Sequence, residues 1–108
     1  MDWLHEASLF LGGAVLTNAV PHFVSGVMGR AFQSPFARPP GEGLSSATVN
    51  VVWGIANLVI AYLILRAGTI DLGALDEAAA LGAGMLVAGV LLARRFGRFN
   101  GGNLTDGA

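Results

Sequence analysis

The residues of this chain best equipped for chemistry gather in one stretch, Thr17 to Ser25, which reads Thr-Asn-Ala-Val-Pro-His-Phe-Val-Ser. Asn18 and His22 are four residues apart and so share a face if the stretch is helical. Pro21, between them, cannot donate to the Thr17 carbonyl, and its ring pushes that carbonyl aside, which predicts a kink. An amide, an imidazole and a loosened carbonyl then converge on one small polar pocket, and Ser25 extends it by a turn. Such an imidazole can relay a proton or bind a ligand. The plainer reading is preferred: a kinked helix uses Thr, Asn and a neighbouring helix to satisfy its freed carbonyl. His5, the other histidine, lies about 17 residues earlier, roughly 25 Å along a helix, so the two cannot share a metal within one chain. Beside Trp3 at the outer edge, it reads as solvated. A haem iron held by His22 from two copies is conceivable in geometry, but no attachment motif supports it. No metal and no cofactor are expected.

A second polar set follows at helical spacing. Asn50, Gly54, Asn57 and Ala61 recur at intervals of four, three and four, placing two amides and two small residues on one face. Small residues permit close helix approach and amides bridge helices, so this is a packing face. Asn57 can complete a cluster with Asn18 and His22, while Asn50, nearer the helix start, can tie down the preceding loop. Gly12, Gly13 and Ala14, and later Gly82 and Gly89, offer further smooth surfaces. Ser45 or Ser46 is a fitting N-cap for the second helix. Its free N–H groups, with Arg30 and Arg38 nearby, would suit an anion such as a lipid headgroup phosphate.

The elements that must hold these residues are set by composition. Of 108 residues, 54% are apolar and only 12% charged, against roughly a quarter charged in ordinary soluble proteins. Three charge-free runs, Ala7 to Gly29, Gly43 to Leu65 and Ala78 to Ala93, approach or reach the ~20 apolar residues that cross a bilayer. The expected fold is an all-α integral membrane protein with three transmembrane helices. Residues 1–99 form one domain with spans at about 7–29, 46–66 and 75–96, a cytoplasmic strap at 30–45, and a disordered tail at 100–108. Arg30, Arg38, Arg94, Arg95 and Arg98 fall on one side and Arg66 alone on the other. By the positive-inside rule the N-terminus is outside and the C-terminus cytoplasmic. Asp2 and Glu6 precede the first run with no basic residue, so the segment is expected to be a retained span rather than a signal peptide. The strap, rich in Pro and Gly, reads as an extended segment over the cytoplasmic mouth, with Phe32 and Phe36 needing burial. Its Gly41-Glu42-Gly43 is not a phosphate loop, since no strand precedes it and no Lys-Ser or Lys-Thr follows. Asp71, Asp76 and Glu77 suit the start of the third helix, which reads as packing between two neighbours. Phe96 and Phe99 with the nearby arginines form its cytoplasmic anchor.

These features exclude more than they name. Cysteine is absent, which removes disulfides and thiolate chemistry. The arginines are few and lie at a membrane edge, so nucleic-acid binding is not indicated. Abundant Ala, Gly and Arg without Lys fit a GC-rich bacterial genome, hence a bacterial inner membrane. The function expected first is a small module that packs helices and binds lipids, itself or another membrane protein, without catalysis. The second is an oligomeric small-solute or proton pathway using Asn18, His22 and Asn57. A membrane enzyme using His22 ranks third, because the three charge-free runs offer no Asp, Glu or Lys at the same depth.

Overall fold

In the computed structural model, which describes residues 2–103, the first helix begins at its cap rather than where charge stops. Asp2 Oδ1 accepts from the N–H groups of Leu4 and His5 at 3.1 and 3.4 Å, so α1 (Trp3–Val27) starts ahead of the expected Ala7. It continues as one helix through Pro21. The Thr17 hydroxyl donates to Gly13 O at 2.9 Å. At the other end Arg30 N donates to Ser25 O and Gly29 N to Gly26 O, with Gly29 at φ 75°. This is a Schellman stop, whose left-handed residue is most easily a glycine.

The strap differs from expectation. Phe32–Gln33 (β1) and Leu44–Ser45 (β2) pair antiparallel, Phe32 with Ser45 and Gln33 with Leu44. The residues between them fold back on Ser34, whose carbonyl accepts from Ala37 N and Gly41 N and whose Oγ accepts from Phe36 N. Pro39 O receives Glu42 N and Gly43 N, and the Arg38–Pro39 peptide is cis. Turn hydrogen bonds thus replace the extended conformation read from its prolines.

Ser46 caps α2 (Ala47–Arg66), its Oγ accepting from Val49 N at 3.1 Å. The third helix, α3 (Leu75–Asn100), has Ala74 at its N-cap without a side-chain cap bond, although Asp76 and Glu77 occupy its first turn. It runs past the expected end near residue 96, and Gly101 terminates it at φ 82°. Asn103 folds back to donate to Arg94 O at 3.0 Å, its side chain lying over buried Gly97. The described structure thus continues through Asn103, inside the stretch expected as the tail. Residues 104–108 lie outside the described part.

All three helices are long and apolar enough to cross a membrane. The two-neighbour helix is α1, not α3: α1 packs against both others, while α2 and α3 have little contact with each other. Adjacent glycines explain how. Gly12 lies against Leu65 and Ile64 of α2, and Gly13 against Leu81 and Met85 of α3. Gly84 meets the Phe10 backbone, and Gly89 lies near Thr17 Cγ2. Gly82, read from sequence as a packing residue, has nothing within 4 Å of where a Cβ would sit.

Candidate functional site

The face Asn50, Gly54, Asn57, Ala61 is buried in full and turned toward α1. At Gly54 the helices approach so closely that a Cβ would sit 2.7 Å from Phe23 N. The polar residues of the two helices then meet in pairs rather than in one cluster. Asn18 Nδ2 donates to Asn57 Oδ1 at 2.9 Å, and Asn57 Nδ2 donates to Trp53 O at 2.8 Å. One turn along, His22 Nδ1 lies 2.8 Å from Asn50 Oδ1. Asn50 Nδ2 donates to the carbonyls of Phe32, Ser45 and Ser46 at 3.1 to 3.2 Å. Asn50 therefore ties the strap to the helices, one of the roles its position suggested.

This bonding settles the histidine tautomer. With Asn50 Nδ2 engaged by carbonyls, Oδ1 accepts and His22 Nδ1 donates, so in the neutral ring Nε2 is the nitrogen with the lone pair. His22 is 2% exposed, and among the described residues nothing hydrogen-bonds to Nε2. Three aromatic rings stand edge-on around the imidazole: Phe32, Trp53 and Phe96, with centroids at 5.6, 6.4 and 5.8 Å. Phe96, expected as an interface anchor, thus faces inward, and Phe99 alone meets the guanidinium groups of Arg95 and Arg98.

Other sequence-derived sites come together less fully. Ser25 contributes its carbonyl to the helix stop, not its hydroxyl to a pocket. Of the four residues expected at an anion site, Ser46 acts as the cap, while the Ser45 hydroxyl pairs with that of Ser34. Arg30 and Arg38 are exposed, and among the described residues their side chains make no hydrogen bond.

Sequence reasoning missed two groupings. At the end remote from the strap, His5 Nε2 lies 2.6 Å from Glu77 Oε1, so His5 joins α1 to α3 instead of being solvated. Beside His22 there is a cavity of about 140 Å³ whose lining includes Asn18, His22, Gln33, Trp53 and Arg95. Gln33 is 4% exposed, and its Oε1 accepts from Asn100 Nδ2 at 3.0 Å. Arg95 Nη2 donates to Gly41 O at 3.2 Å. The Trp53 indole N–H is buried without a hydrogen-bond partner among the described residues. Trp53 carried a signal: it lies three residues from Asn50 and four from Asn57, on the edge of the polar stripe. Gln33 and Arg95 carried none, since a loop and the far end of another helix bring them in. No protein family, curated protein or solved structure matches this chain.

Proposed function

We propose that this is a multi-pass protein of a bacterial inner membrane, with its N-terminus outside and its C-terminus in the cytoplasm. In this reading Pro21 bends the first span. The protein acts as a helix-packing and partner-binding module with no catalysis of its own. One observation carries the proposal: the intramembrane amides and the imidazole bond one another and the strap, while the outward faces of α2 and α3 remain apolar and exposed. Groups committed to internal hydrogen bonds hold a scaffold together, and an apolar exterior suits lipid or another helix. Orientation rests on the arginines. Arg95 reaches the strap at Gly41, so the strap and the end of α3 lie at the same side, where five of the six arginines are found.

Two measurements test this. A reporter fused after Ala108 is expected to behave as cytoplasmic; an external signal overturns the orientation. Because cysteine is absent, single cysteines can be introduced cleanly. Leu86→Cys and Val90→Cys, on the exposed face of α3, are expected to crosslink between copies in native membranes, and Ala61→Cys is not. Failure of both α3 positions, together with a monomer mass in lipid nanodiscs, rules out self-association.

A further inference from the structure

The hydrogen bonds that hold the helices together leave specific valences unused around the cavity beside His22. Asn100 Nδ2 donates to both Phe96 O and Gln33 Oε1. Gln33 Oε1 is therefore the acceptor, and its amide N–H groups have no partner among the described residues. Trp53 contributes ring surface to the wall, its indole N–H being buried away from the cavity space. Arg95 uses Nη2 on Gly41 O and keeps further donors at the cavity wall. Against these donors stands His22 Nε2, which in the neutral ring is the acceptor because Nδ1 donates to Asn50. Among the residues lining the cavity, Arg95 carries a fixed positive charge and no carboxylate is present.

The occupant that completes this set offers oxygen acceptors bearing negative charge and one hydroxyl donor. A carboxylate accepts from the Gln33 amide and the Arg95 guanidinium, the latter in a charge-assisted bond. A hydroxyl on the adjacent carbon donates to His22 Nε2. Size agrees: a cavity of about 140 Å³ is close to the ~150 Å³ that accommodates a benzene molecule of six heavy atoms. That is also the heavy-atom count of a three-carbon hydroxy acid. We infer that the cavity lined by His22, Gln33, Trp53 and Arg95 binds a small 2-hydroxycarboxylate anion. This role goes beyond the packing function, since it uses the valences that packing leaves over.

The test compares lactate with propionate, which has the same carbon skeleton without the hydroxyl, by titration calorimetry on the full chain in lipid nanodiscs. Saturable binding of lactate is expected, with propionate about tenfold weaker, the effect of one net hydrogen bond. His22→Asn retains a side-chain nitrogen for Asn50 but has no counterpart of Nε2, and is expected to bind the two acids alike. Arg95→Gln, which removes the fixed positive charge from the cavity wall, is expected to weaken both about tenfold. In unmutated protein with ¹⁵N-labelled histidine, lactate should shift the Nε2 resonance of His22 and leave that of His5 in place, a readout that does not depend on any variant folding. Absence of saturable lactate binding by the unmutated protein overturns the inference. So does an undiminished lactate preference in a folded His22→Asn protein, or an unmoved Nε2 resonance at saturating lactate.

Discussion

Asn50 holds the strap through its nitrogen and the first helix through its oxygen, so the side chain opposite that oxygen should be sensitive to substitution. His22→Leu leaves Oδ1 of a fully buried residue without a donor. The expected cost is about 1 to 3 kcal/mol, read as a lowered denaturation midpoint in detergent. His22→Asn should lose less than about 1 kcal/mol, because its side-chain nitrogen lies as many bonds from the backbone as Nδ1. The sequence predicted that Asn18 and His22 share a face, and that Asn50 and Asn57 share another. Which amide would meet which partner was not legible, because helical spacing fixes a face and not the relative shift of two helices. Close packing at Gly54 goes with one shift, in which Asn18 meets Asn57 and His22 meets Asn50, while Asn18 and His22 both line the cavity. His5 was misread for a similar reason: Glu77 is 72 residues away in the chain, and only the docking of α3 brings it near.

The helices themselves were readable because charge-free runs of this length have few other outcomes, yet their ends followed local chemistry that hydropathy does not record. Asp2, Ser46, Gly29 and Gly101 set those ends. The β1 and β2 strands of two residues each leave no periodic trace, and the strap's form depends on Ser34 and Asn50 as much as on its prolines. Between helices, the small residues are not equivalent. Gly54→Ala places a methyl against the Phe23 backbone, and a cost of about 1 to 3 kcal/mol is expected from overpacking. Gly82→Ala meets nothing within 4 Å and should be neutral or stabilising by up to about 1 kcal/mol through helix propensity. Paired thermal unfolding measurements check both, and equal effects at the two positions would contradict the packing described.

Across the whole molecule, α1 carries the other two helices on separate sides, and the bonds are distributed unevenly between them. Asn18, His22, Phe32, Ser45, Ser46, Asn50 and Asn57 all precede α3, so the network joining α1, the strap and α2 is complete before the third helix is synthesised. During translation α1 and α2 can therefore lock together in the bilayer while α3 is still in the ribosome, and α3 docks afterwards on an assembled hairpin. A chain stopped at Gly73 should insert and, in the orientation proposed above, keep its strap resistant to protease added from the cytoplasmic side. One stopped before Asn50 should insert α1 but leave the strap open to cleavage, since the residue that fastens it has not yet been made.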